Sequence, residues 1–129
     1  MIDIQALIDG IGAKEQRARA GTQMTLGEMI EALKEMTPDT EIRGLGELYS
    51  YRGYYCDLAF EPSDDDELAS ELLARCTDAM GAVFTGYKGG DFVMGALTPL
   101  WVSCYGEASG QRIMSLGDDG SVITEAEDW

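Results

Sequence analysis

The sequence predicts one α+β domain, an antiparallel sheet of about four to six strands with two or three helices packed on it. Three observations support this fold class. The length of 129 residues suits a single hydrophobic core. Stretches before residue 81 repeat apolar residues at helical spacing, and the chain after it breaks into short apolar segments separated by turn residues. We expect residues 1–129 to form one domain, with a helical extension at 1–23, a core at 24–124 and an acidic tail at 125–129.

The extension is predicted to be an amphipathic helix over 3–19, since Ile4, Leu7, Ile8 and Ile11 recur at helical spacing. Its start carries acids where a secretory signal peptide needs basic residues and a continuous apolar run. No run approaches the roughly 18 to 20 apolar residues that cross a bilayer. We therefore expect the protein to act in the cytoplasm.

The next helix has the clearest local signal. Thr25 and Glu28 have the spacing of a capping box, in which each side chain binds a free backbone N–H group at the helix start. A helix over 26–36 should follow, and Pro38 should stop it. Its predicted buried stripe is Leu26, Met29, Ile30 and Leu33.

Two strands are predicted after this helix. Residues 41–43 should begin the sheet, and residues 49–60 alternate loosely enough to predict a bent strand with a bulge at Gly53. In that strand one face would carry Tyr55, Asp57 and Ala59, and the other Cys56, Leu58 and Phe60.

A second helix is predicted over 65–80. The acidic run at 64–67 would lie at the start of this helix and complement the helix dipole. The same run lacks the alternating oxygens and central glycine of a calcium loop. Its buried stripe would be Leu68, Leu72, Cys76 and Met80.

The rest of the chain predicts a meander of short strands. Asp119-Gly120 is a tight-turn signal between the last two. The predicted strands span 83–87, 91–94, 100–105, 112–116 and 122–124.

Charge excludes several classes of partner. The chain has 24 acids and 9 bases, a formal net charge of −15. Residues 1–60 hold ten acids and six bases, whereas residues 61–129 hold fourteen and three. Nucleic acids and anionic membranes are therefore poor direct partners, because binding them needs Lys and Arg. A basic protein surface would be attracted, although the acidity could also serve only solubility.

Composition also argues against catalysis and metal binding. The chain has no histidine, the commonest general base and the usual partner of a serine or cysteine nucleophile. Its three cysteines, Cys56, Cys76 and Cys104, lie far apart in the sequence. We predict no metal, no cofactor and no enzymatic activity, and rank an enzyme acting through carboxylates and Lys88 third among the hypotheses.

Two segments, residues 50–55 and 85–91, each place one cation among aromatic residues and glycines. If the fold brings them together, Arg52 could hold a phosphate or carboxylate with two hydrogen bonds and Lys88 could add a charge. Tyr51, Tyr54 or Tyr87 could stack on a ring. Such a site would suit a nucleotide-like small molecule, and it forms the alternative hypothesis. Pairing of both cations with internal carboxylates is the simpler interpretation.

Three motifs resemble a group of small, uncharacterised proteins of bacteriophages and related bacterial genomes. They are SYRGYY at 50–55, LAFEP at 58–62 and GYKGGDF at 86–92, within a resemblance that covers about residues 24 to 106. The resemblance implies a phage or prophage setting and therefore the cytoplasm of a host cell. It implies no activity. Small acidic phage proteins often resemble, in charge and size, inhibitors of host defence, some of which mimic DNA.

The leading hypothesis is a phage accessory protein that inhibits a host nucleic-acid-handling defence complex, in the manner of an anti-CRISPR protein. An acidic face would bind the basic surface of that complex. A homodimer is also compatible with the sequence, because a meander leaves sheet edges for a second copy. The carboxylates predicted to bind the partner, all projecting from one helix, are those of Asp64, Asp65, Asp66, Glu67, Glu71 and Asp78.

Overall fold

The computed structural model describes residues 20–86, 88–103 and 110–126. The helix predicted over 3–19 and the end of the acidic tail lie outside these ranges, as do Tyr87 and Cys104.

Two α-helices, α1 and α2, lie in the described part of the chain. Helix α1 (Leu26–Glu35) confirms the predicted capping box: Thr25 Oγ1 accepts from the Glu28 N–H (3.3 Å), and Glu28 Oε1 accepts from the Thr25 N–H (3.1 Å). Its four predicted stripe residues are all buried. Helix α2 spans Ala69–Ala79. Neither helix is long and apolar enough to cross a membrane.

Short β-strands accompany the helices and confirm the α+β class. The five-stranded sheet has the order β2-β3-β7-β8-β9, in which β3 and β7 are parallel and the other pairs antiparallel. Strands β1 and β4 form a separate antiparallel pair, as do β5 and β6. The strands are β1 (Glu41–Arg43), β2 (Leu48–Ser50), β3 (Leu58–Phe60), β4 (Asp66–Leu68), β5 (Val83–Thr85), β6 (Asp91–Val93), β7 (Leu100–Val102), β8 (Gln111–Leu116) and β9 (Val122–Ala126).

The predicted continuous meander is wrong. Strands β5 and β6 form their own hairpin, and β7 lies beside β3 rather than β6. The predicted bent strand over 49–60 is also wrong, because β2 and β3 form a hairpin around a loop at 51–57. Within that loop the Tyr51 N–H donates to the Asp57 carbonyl (2.9 Å) and the Asp57 N–H to the Tyr54 carbonyl (2.9 Å). These hydrogen bonds fold the loop back on itself.

The start of the second helix was also predicted wrongly. Asp66 and Glu67 belong to β4, where they lie opposite Arg43 and Ile42 of β1. Helix α2 begins only at Ala69, whose N–H donates to the Thr40 carbonyl (2.8 Å). Antiparallel pairing with β1 therefore replaces the first turn that the acids favoured.

Strand β3 of the five-stranded sheet is covered on both faces. On one face, Leu58 and Phe60 of β3 join the main core with residues of both helices. On the other, Ala59 packs with Tyr51 and Trp101. All three residues of β3 are therefore buried, which explains why its sequence does not alternate between apolar and polar residues.

Because Cys76 is buried in the core, we expect the protein to lose stability at alkaline pH. Burial raises the pKa of its thiol to about 12, whereas an exposed thiol titrates near ~8.5. Between these values the unfolded chain releases a proton that the folded chain keeps, so stability falls as pH rises. We expect urea unfolding at pH 8 and 10 to show a loss of about 2 kcal/mol from this residue. Cys76→Ala should abolish that share of the change, and an unaltered pH dependence in the variant would contradict the prediction.

Candidate functional site

The β1–β4 pair places the acidic run on the surface and compensates one of its charges. Arg43 Nε donates to Asp66 Oδ1 (2.7 Å) and Nη2 to Oδ2 (3.3 Å). These hydrogen bonds lower the pKa of the exposed Asp66 carboxyl, and they raise the pKa of Arg43. The Asp66 carboxylate therefore stays ionised to lower pH than an ordinary carboxyl group, and its charge is paired with that of Arg43.

Glu67 is half-buried, and an arginine binds both of its carboxylate oxygens. Arg75 Nε donates to Glu67 Oε2 (2.9 Å), and Nη2 donates to Oε1 (2.6 Å). The same guanidinium donates to the carbonyls of Gly46 (2.8 Å) and Leu45 (3.0 Å). Arg75 of α2 therefore links this helix to β4, through the Glu67 carboxylate, and to the loop before β2, through the two carbonyls.

Glu71 caps the second helix. Its Oε1 accepts from the Leu68 N–H (3.3 Å), which satisfies a backbone donor at the start of α2. Three of the six predicted binding carboxylates thus have internal partners.

The other three are exposed, and of them only Asp64 interacts with a described cation, at longer range with Arg43. Asp64 and Asp65 lie in the bend before β4, and Asp78 lies near the end of α2. In the described part of the chain their carboxylates form no ion pair or hydrogen bond. The six residues do not project from one helix as predicted, because α2 carries only Glu71 and Asp78.

Two neighbouring open grooves are lined by five of the six predicted carboxylates, all except Asp64. One, of about 430 Å³, is lined in part by Asp65, Asp66, Glu67 and Glu71. The other, of about 380 Å³, is lined in part by Asp78. Both are also lined by Glu47 and Arg75.

Glu47 was missed by the sequence reasoning. It is exposed, and no ion pair or side-chain hydrogen bond occupies its carboxylate among the described residues. It is an isolated acid 17 residues before Asp64, and only the folded hairpin brings it beside the acidic run.

The aromatic residues of the alternative ligand site lie largely inside the fold. Tyr51 is 0% exposed, and its ring stacks on Trp101 with 4.4 Å between centroids. Tyr54 is half-buried, 5.7 Å from the same ring. Trp101 Nε1 donates to Oδ2 of the buried Asp57 (2.9 Å), a contact that the sequence did not indicate. The Tyr51 ring is therefore covered and cannot stack on a ligand in this structure.

The two cation-bearing segments do touch each other. Tyr55, in the segment of Arg52, packs on Phe92 with 5.8 Å between ring centroids. Gly86, in the segment of Lys88, lies so close to Tyr55 that a β-carbon there would be 3.3 Å from the Tyr55 Cγ atom. Arg52 is half-buried and Lys88 exposed.

The acidic surface has the chemistry of an electrostatic binding site. Within residues 20–86, 88–103 and 110–126, no group of three or more Cys, Asp or Glu side chains has a metal-binding arrangement. Exposed carboxylates that form no ion pair among the described residues can instead attract basic groups from a partner. Comparison of the chain with protein-family models, with curated proteins and with solved structures finds no match.

Proposed function

We propose that this protein is a non-catalytic inhibitor that covers the basic surface of a nucleic-acid-handling defence complex. The observation that carries the proposal is the division of charge on the acidic face. Asp66 and Glu67 are paired with arginines. Asp65, Asp78 and Glu47 are exposed and form no ion pair within the described residues, and Asp64 is exposed with only a longer-range attraction to Arg43.

This surface favours a basic partner for a simple electrostatic reason. Residues 61–79 contain seven acids and one base, Arg75, whose guanidinium is already bound to Glu67. The field of this segment therefore attracts the Lys- and Arg-rich surfaces that normally hold nucleic acid, and it speeds their encounter. The resemblance to phage proteins supports a host-defence complex as the target.

The alternative, a binder of nucleotide-like small molecules through Arg52 and Lys88, has less support. The two loops are in contact, but the buried Tyr51 removes one predicted stacking surface.

Removing the exposed charges is expected to weaken binding to the partner. The triple variant Asp64→Asn, Asp65→Asn and Asp78→Asn should bind the partner at least about tenfold more weakly, with a flatter dependence on salt. The partner is first recovered by tagged protein from lysate of a bacterium with active defence systems. Affinity is then measured on the purified complex at several salt concentrations, together with inhibition of its nucleic-acid binding.

A matched control separates local charge from total charge. Glu35→Gln, Asp118→Asn and Glu125→Gln also remove three exposed negative charges, and none of these residues lines either groove. The control should retain affinity. Equal losses of affinity in the two triple variants would show that only the net charge of the protein matters. Full inhibition by the first variant would reject the acidic face as the binding surface.

A further inference from the structure

The smaller groove combines an apolar floor with an acidic rim. It lies between β2, the end of α2 and β5, and its volume of about 380 Å³ is near the low end of the roughly 300 to 1,000 Å³ typical of ligand pockets. Leu48, Ala79 and Phe84 supply the apolar part of the lining. Ala79 is buried and the other two are half-buried, so the groove exposes part of the packed interior.

The lining also includes two carboxylates that pair with no cation in the described part of the chain. Glu47 precedes β2 and Asp78 lies near the end of α2, and both are exposed. Neither side chain has an ion pair or hydrogen bond within the described residues.

Arg75 also lines the groove, but its charge is already compensated. Its guanidinium makes two hydrogen bonds to Glu67 and two to backbone carbonyls. The groove therefore has a fixed wall and two carboxylates available to an incoming cation.

We propose that this groove receives an arginine side chain from the basic surface of the partner, an inference that rests on the proposed function and specifies its contact. The aliphatic stem would cover Leu48 and Ala79, as long cationic side chains commonly cover apolar surface. The planar guanidinium has enough donors to bridge Glu47 and Asp78, and its face can lie against the Phe84 ring.

Charge complementarity selects this occupant over others. A phosphate or nucleic-acid backbone would be repelled by the two carboxylates. A wholly apolar segment would remove those carboxylates from water without compensating them. A lysine would fill the same space, but its ammonium lacks the planar arrangement of donors that reaches two carboxylates together.

The test uses the full chain and a minimal probe. Backbone amide resonances are followed by NMR while N-acetyl-arginine amide is added, and the neutral citrulline analogue is titrated in parallel. Saturable shifts should map to the amides of Glu47, Asp78 and Phe84 with arginine only. Asp78→Asn should weaken this binding about tenfold, the scale of losing a charge-assisted hydrogen bond.

Asp118→Asn is the matched control, since it removes an exposed carboxylate outside the groove. It should leave arginine binding within about twofold of the unaltered protein. The proposal would be overturned if arginine gave no saturable shifts, if citrulline gave equal shifts, or if the shifts mapped to Asp64–Asp66. Equal weakening of arginine binding by the two substitutions would overturn it as well.

Failure of the groove and failure of the proposed function give different results. A groove pair, Glu47→Gln with Asp78→Asn, is compared with an outer pair, Asp64→Asn with Asp65→Asn, on the captured partner. Weaker binding in the outer pair alone would overturn the arginine groove and leave the proposed function standing. Unchanged binding in both pairs would reject the acidic face itself, and weaker binding in the groove pair would support the proposal.

Discussion

Replacing Arg75 by methionine is expected to lower the free energy of unfolding by about 3 kcal/mol. The substitution keeps an unbranched chain but removes the guanidinium donors to Glu67 and to the carbonyls of Leu45 and Gly46. Glu67 would then remain as a half-buried carboxylate without its cation. The Arg75 and Glu67 side chains are 32% and 22% exposed, so the loss should fall at the low end of the range for buried pairs.

Denaturant unfolding followed by tryptophan fluorescence measures this loss, and Arg43→Met supplies the control. Arg43 also binds a carboxylate, that of Asp66, but its side chain is 71% exposed, so its removal should cost less than about 1 kcal/mol. The double variant Arg75→Met with Glu67→Leu should regain much of the stability, because it removes the uncompensated charge. Equal losses for the two arginines would show that Arg75 is not a structural junction.

Local sequence signals predicted the fold where the deciding contacts are local. The capping box at Thr25 and Glu28 lies within four residues, and its hydrogen bonds form as predicted. The turn signal at Asp119-Gly120 is likewise correct, since these residues lie between β8 and β9.

Errors arose where distant pairing overrode local preference. Asp66 and Glu67 suit the first turn of a helix, but they pair instead with residues of β1 that lie 23 and 25 positions earlier in the chain. In the same way, the ring of Tyr51 is covered by Trp101, which lies 50 residues later in the chain. No property of the SYRGYY segment alone indicates that contact.

The candidate site shows the same limit. The sequence places six carboxylates near one another but does not say which of them are compensated. Arg43 of β1 pairs with Asp66 and Arg75 of α2 pairs with Glu67, and these contacts form only in the folded chain. The fold thus pairs Asp66 and Glu67 with arginines and leaves Asp64, Asp65 and Asp78 exposed.

Replacing Gly120 by alanine is expected to destabilise the protein by about 3 kcal/mol. Gly120 has a φ angle of +89°, and a β-carbon there would lie 2.2 Å from the Glu41 carbonyl oxygen. The left-handed conformation alone costs an L-residue roughly 1 kcal/mol. The remaining loss comes from moving the β8–β9 turn away from β1, because a backbone carbonyl cannot rotate aside as a side chain can.

Gly89→Ala provides the matched comparison. Gly89 has a similar φ angle of +91°, but nothing lies within 4 Å of the β-carbon position, so only the conformational cost of about 1 kcal/mol applies. Both variants are measured by denaturant unfolding. Glu41 is paired with Leu68 in the β1–β4 ladder, so Gly120→Ala should also weaken partner binding while Gly89→Ala preserves it. Equal stability losses would mean that the turn does not support β1 through this contact.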